Sequence, residues 1–420
     1  MTTALAADIE REIARDLPDL VRIRRELHAH PQFGYEETFA AELVQRELAA
    51  RGVPFQAGVA KTGVVGWLLP DRGGAEEQGV RRLLQQEKVP DPSFPAGAVA
   101  LRADMDALPL DEATGLPYAS GTPGVMHACG HDGHVAMLIG AARALERLRD
   151  RLPRPVKLLF QPAEERLGGA AKMVEAGALD ERIGGVKVAV IFALHGFPGV
   201  DLGAVATRSG PIMSGADNFD ILVRGRGGHG AIPQLAADPV LAAAHVVTAL
   251  QSIASRNVDP TASAVVTVGK LHAGTAFNII PQTAHIEGTV RTFEPAVAEL
   301  VHGRIKAIAE QVAGGLGCSA DVRIVPYYPV TANDPRATEF FLRVARGVLG
   351  EPAVRLLERP EMGSEDFSFY ARKVPGCYFL LGLHPPGAEP LPPNHSPLFD
   401  FNDLAIGTGV KLLVALALSS

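Results

Sequence analysis

Near-continuous apolar runs constrain this chain more than any other feature. Residues 64–69, 98–101, 156–160 and 186–194 are each the length of a buried strand, and helical patterns at 135–148 and 170–176 alternate with them. A strand that is apolar on both faces must be covered on both, so the alternation predicts an α/β layer: a mostly parallel sheet flanked by helices. Ahead of it, residues 8–51 read as two helical runs separated by the break Pro31-Gln32-Phe33-Gly34.

From about Asn218 the rhythm changes. FDILVRG, SAVVTVGKLHAG, AHIEGTVRTF and ADVRIVPYYP read as strands, with helical patterns after the first and third. The order βαββαβ is that of a ferredoxin-like α+β unit of about 115 residues. It is expected as an insertion at 214–330, splitting the α/β domain into 1–213 and 331–420. A polar excursion at 71–97, with the helical pattern RRLLQQEK inside it, is expected on the surface. The 420 residues exceed what one core of roughly 250–300 residues usually holds, which agrees with two domains.

A net charge of −7 gives no basis for nucleic-acid binding. The first 20 residues lack a basic region followed by an apolar one, and no apolar window approaches the roughly 18 residues that span a bilayer. No membrane association is expected. Three cysteines, Cys129, Cys318 and Cys377, have no paired spacing; the expectation is a reducing, cytoplasmic setting, with Cys318 and Cys377 as small core residues.

The densest chemistry is Met126-His127-Ala128-Cys129-Gly130-His131-Asp132-Gly133-His134. A thiolate among imidazoles suits zinc or another late first-row metal, and no second ligand pair at finger spacing accompanies it. Glu164 and Glu165 follow the strand pattern 156–160, just where α/β sheets build sites. On an extended backbone one would ligate a metal while its neighbour faces the substrate as general base. A solvated pair opening a helix is the alternative. His195 follows an apolar run, and His395 lies in a Pro-rich loop.

Together these segments resemble the aminoacylase and carboxypeptidase family of dinuclear metallohydrolases, in the branch of hippurate hydrolases and auxin-conjugate amidohydrolases. The matching stretches run in order over almost the whole chain: RRELHAHPQFGYEE (24–37), LRADMDALPL (101–110), MHACGHDGH (126–134), LLFQPAEE (158–165), ALHG (193–196), GGHGAIPQ (227–234), GTAFNIIP (274–281), GTVRTF (288–293), MGSEDFSFY (362–370) and NHS (394–396).

The resemblance implies two divalent ions, Zn²⁺ or Mn²⁺ with Co²⁺ and Ni²⁺ as alternatives, held by Cys129, His131, Glu165, His195 and His395, with Cys129 bridging. It implies Glu164 as the base acting on a metal-bridged water, and Asp106 as a carboxylate behind a metal-bound imidazole, His131. The insertion is implied to be a lid and dimerisation domain of a homodimer or homotetramer. His229 would reach from it into the partner's site, Asn278 and Arg291 would hold the substrate's carboxylate, and Gly363 would line the site.

The implied activity is hydrolysis of N-acetyl or N-aroyl, hippurate-like amino acids. The alternative within the family is a peptidase or deacetylase acting on short dipeptides or N-acetyl-diaminopimelate. A thiol hydrolase using Cys129 would leave Glu164, Glu165, His195 and His395 unexplained, and a non-catalytic binding protein would leave the carboxylate pair without purpose. Two departures stand out. Gln234 replaces a histidine many members of the branch carry, and the 71–97 excursion has no expected counterpart.

Overall fold

The structure, a computed structural model, describes residues 3–71 and 94–420. The RRLLQQEK pattern at 81–88 lies outside the described residues. Two compact units form. One comprises the described residues of Met1–Ile212 with Ala332–Arg359 and Asp366–Ser420; the other is Met213–Thr331 with Pro360–Glu365.

In the first unit the apolar runs become neighbouring strands. The sheet order is Phe55–Val59, Gly63–Leu68, Val156–Gln161, Ala98–Asp104, Val188–Asp201, Gly376–His384, Val205–Thr207, Val354–Leu356. Its centre is parallel: Ala98–Asp104 runs with both Val156–Gln161 and Val188–Asp201, and Gly376–His384 runs with Val188–Asp201. Every residue of Ala98–Asp104 and Val156–Gln161 is buried, which explains why these segments are apolar without alternation. Helices Thr3–Ala29, His131–Arg147 and Ala405–Ser419 pack against one another over this sheet. Ala405–Ser419 is apolar nearly all round because nearly all of it is buried.

The second unit is a four-stranded antiparallel sheet in the order Ala264–Ala273, Thr283–Thr292, Gly215–Arg224, Ser319–Tyr328. Helices Pro239–Leu250 and Pro295–Gly315 follow its first and third strands in the chain, as the βαββαβ pattern predicts. Gly215–Arg224 alternates, with Phe219, Ile221 and Val223 buried under the helices' Val246, Leu250, Val301 and Ile305. The Asp238 side chain accepts from the backbone N–H of Val240 and Leu241, which, with Pro239 following it, starts the first helix.

One boundary differs from expectation. Residues 331–420 were expected to return wholly to the first domain, yet Pro360–Glu365 belongs to the second unit. The reason is backbone satisfaction: Ser214 N–H donates to Gly363 O at 2.8 Å, Ser214 Oγ donates to Met362 O at 2.8 Å, and Thr331 Oγ1 donates to Glu365 O at 2.9 Å. No helix among the described residues is long and apolar enough to cross a membrane.

Candidate metal centre

Parallel register builds the site. Asp104 lies opposite Gln161, and Arg102 lies opposite Ala193, so the carboxyl ends of three adjacent strands come level. Asp106 and the Glu164-Glu165 pair lie just beyond two of those ends, and His195 lies at the same level within Val188–Asp201, two residues past Ala193. Helix His131–Arg147 starts at the same edge, after Gly130 at φ 88°. A side chain on Gly130 would also meet Phe401 at 3.0 Å, so glycine is required twice over in the turn between Cys129 and His131.

Several groups of donors converge here, His131, Glu164 and Glu165 among them, and two others share a thiol. In Cys129, His131 and His195 the ligand atoms all lie within 4.8 Å of one another, and the same holds for Cys129, Glu165 and His395. Cys129 is common to both. Its Sγ is 3.3 Å from His195 Nε2, and Glu165 Oε1 is 3.4 Å from His395 Nε2 and 3.9 Å from His131 Nε2. His131 Nδ1 donates to the Asp106 carbonyl at 2.9 Å and His195 Nδ1 to the Gly196 carbonyl at 2.9 Å. Each ring thereby turns Nε2 to the shared space. Among the described residues the buried Nε2 of His131 has no hydrogen-bond partner.

Burial, with Glu165 and Glu164 close by, pushes the Cys129 thiol well above its ordinary pKa. Burial and His134 push His195 well below its own. Burial would lower His131 too, but Asp104 and Asp106 outweigh it and hold the imidazole at about 10. A thiol in that field becomes a thiolate only with a compensating cation. One thiol, three imidazoles and a carboxylate, divided into two groups with a common member, fit two divalent ions.

Glu164 is buried beside these donors. It does not lie on extended backbone: Glu164–Leu167 is a short helical turn, so the expected opposition of neighbouring side chains across a strand is replaced by helical divergence. Asp106 meets His131 through two groups. The His131 ring hydrogen-bonds the Asp106 backbone carbonyl, with the carboxylate 3.4 Å away. The two carboxylate oxygens accept the N–H groups of Glu164 and Glu165, each at 3.0 Å.

Several supporting residues stand outside the implied ligand set. His134 donates to Asp104 at 2.6 Å through Nδ1 and accepts the Gly196 N–H at 2.8 Å, tying the His195 strand to the helix start. Arg102, fully buried, bonds Asp104, Gln161 and Asp366 at 2.6, 2.8 and 3.0 Å. Asn394 donates to the carbonyls of Cys129 and Gly196 at 3.2 and 3.4 Å. The one available signal was the placement of such polar residues within or beside apolar strand runs, where burial demands partners.

The remaining expected residues lie in the second unit. His229, exposed, pairs in a short ribbon with Ile279, and Gly230 N–H donates to the Asn278 carbonyl at 2.8 Å, so His229 and Asn278 are neighbours. Arg291 is half-buried, and its Nη1 lacks a hydrogen-bond partner among the described residues. Gly363 accepts from Ser214, and Gln234 sits in the exposed turn Pro233–Leu235. Cys318 and Cys377 are buried and free.

Comparison with known proteins agrees with this geometry. The chain is 40% identical over 403 residues to IAA-amino acid hydrolase ILR1-like 4 of Arabidopsis thaliana, covering 95% of this chain and 84% of that protein. It is 36% identical over 402 residues to N-acetylcysteine deacetylase of Bacillus subtilis, covering 95% and 96%. Among solved structures, the Bacillus subtilis YXEP protein, described as a dinuclear metal binding peptidase from the M20 family, superposes with a TM-score of 0.76 at 32% identity over 96% of this chain and 98% of that one. Residues 100–419 match the model of peptidase family M20/M25/M40, and with the donor groups around Cys129 they show that the chain belongs to this family of metal-dependent amide and peptide hydrolases.

Proposed function

We propose that the chain hydrolyses N-acyl and N-aroyl amino acids to a carboxylate and a free amino acid. The observation that carries this reading is the pair of donor groups sharing Cys129, with Glu164 buried beside them. Two relatives whose names specify an acyl amino acid, an IAA-amino acid hydrolase and an N-acetylcysteine deacetylase, support the substrate class. Cys129, His131, His195, Glu165 and His395 would hold two divalent ions, Zn²⁺ or Mn²⁺ before Co²⁺ or Ni²⁺. Bound there, the ions supply Lewis-acid polarisation of the scissile carbonyl and a lowered water pKa.

Glu164 takes the proton of the attacking water and passes it to the leaving amine. Arg291 and Asn278 hold the substrate's carboxylate, Gly363 lines the substrate path, and His229 of a partner subunit donates to the carbonyl oxygen in a homodimer. Three free cysteines agree with a cytoplasmic setting.

A second reading, hydrolysis of short peptides, is favoured by the peptidase description of the YXEP structure. The deciding experiment crosses acetyl, benzoyl and indole-acetyl groups with several amino acids, alongside dipeptides, using protein stripped by chelator and then restored with each metal. Turnover of acyl amino acids that disappears on stripping and returns with about two equivalents of metal is expected. Full activity of the stripped protein, or turnover of dipeptides alone, would overturn the reading.

A further inference from the structure

The stretch containing Gly34 and Glu37 has no place in the donor set, yet it wraps the turn that presents Glu164 and Glu165. Gln32 O accepts the N–H of Ala107, next to Asp106, at 2.9 Å. Gly34 lies so close to Ala163 that a side chain on it would stand 2.9 Å from both Cα and Cβ of that alanine. Glu37, almost fully buried, accepts the Ala163 N–H on Oε1 at 2.8 Å and the Thr62 hydroxyl on Oε2 at 2.6 Å.

Ala163 is where this clasp acts. It is fully buried and left-handed, φ 57° and ψ 44°, a conformation that a residue with a Cβ adopts only when its surroundings impose it. The three N–H groups that open the turn are all taken by buried carboxylates: Ala163 by Glu37, Glu164 and Glu165 by the two oxygens of Asp106. Asp106 holds the pair from one side, and Glu37 holds the residue that sets the direction in which the pair leaves the strand.

We propose that Glu37 is a positioning residue for hydrolysis, fixing through the Ala163 N–H the left-handed turn that aims Glu164. The inference rests on the reading of Glu164 as general base. Both donors that meet Glu37 point at it, so an acceptor-only carboxylate suits the place. Glutamine can keep the bond to Ala163 while the Thr62 hydroxyl turns to accept, whereas alanine leaves the Ala163 N–H buried without a partner.

The test compares Glu37→Ala, Glu37→Gln and the milder Thr62→Val with the parent protein. In metal-free protein, amide exchange of a peptide covering 160–167 should rise about tenfold in Glu37→Ala while helix His131–Arg147 exchanges as in the parent. With metals restored, kcat should fall about 10–100-fold with KM within about threefold, because Glu37 touches no substrate. Glu37→Gln should return both readouts to within about threefold of the parent, and Thr62→Val should speed exchange and lower kcat by about threefold.

A folded Glu37→Ala protein with parental exchange at 160–167, or with parental kcat despite faster exchange, overturns the proposal. So does a Glu37→Gln protein no better than Glu37→Ala. If Glu37→Ala does not fold, Thr62→Val decides by the same two readouts. Glu164→Gln run in parallel separates the two readings: parental kcat there would remove the general base and leave the exchange result to judge the clasp alone.

Discussion

Glu164 and Glu165 are identical side chains on adjacent residues, and they meet different surroundings. Glu165 Oε1 faces the imidazoles of His131 and His395, while Glu164 is buried beside the same group with its N–H held by Asp106. Glu164→Gln keeps the size and the backbone bond and removes only the basic oxygen. It should lower kcat by roughly 10²–10⁴-fold with metal content unchanged. Elemental analysis alongside steady-state kinetics checks this; lost metal would mean that Glu164 acts as a ligand instead. At this scale the residue types in HACGHDGH and PAEE were readable as candidates for a metal centre, because few other tasks call for a thiol, imidazoles and carboxylates so closely spaced. That the Asp106 backbone carbonyl joins its carboxylate beside His131 was not, since only the path of the backbone brings it there.

At the scale of elements, helix Thr3–Ala29 docks on His131–Arg147 through charge as well as apolar packing. Arg24 Nε lies 2.8 Å from Asp132, and His28 Nδ1 is 2.8 Å from the same carboxylate, both side chains fully buried. Burial alone would lower the His28 pKa, but Asp132 and Glu112 outweigh it and hold the imidazole at about 9. The folded value lies above the unfolded one, so this contribution is complete below about pH 6.5 and is lost as pH rises through about 9. Its size is on the order of 3 kcal/mol. Denaturant unfolding at pH 6 and 9.5 should show that loss in the parent and a smaller one in His28→Gln; equal losses would rule the contribution out. The helices themselves were legible from their periodicity. The docking pairs were not, because His28 and Asp132 are 104 residues apart and carry no local pattern.

For the whole molecule, the chain's division into an α/β unit and a ferredoxin-like unit places Cys129, Glu164 and their neighbours in one and His229, Asn278, Arg291 and Gly363 in the other. If a homodimer shares its sites through His229, then His229→Ala and Glu164→Gln proteins, each impaired, should regain activity when mixed and allowed to exchange subunits. A random mixed dimer retains one intact site, so recovery should approach about a quarter of parental activity. No recovery in a mixture shown to contain mixed dimers would remove the shared site.

The sequence by itself determined the central strand–helix alternation, the βαββαβ order of the insertion, the sheet type and the family. Apolar runs without alternation demand cover on both faces, alternation demands it on one, and the chemically rare residues occur in ordered motifs along the chain. Tertiary structure alone decided that Pro360–Glu365 joins the second unit, that Asp106 spends its carboxylate on two backbone N–H groups, and that Glu37 reaches Ala163 across 126 residues. Each of these satisfies a backbone hydrogen-bonding group, and backbone groups are the same at every residue. Their needs leave almost no mark on composition or periodicity, and only the folded chain shows which distant atom answers them.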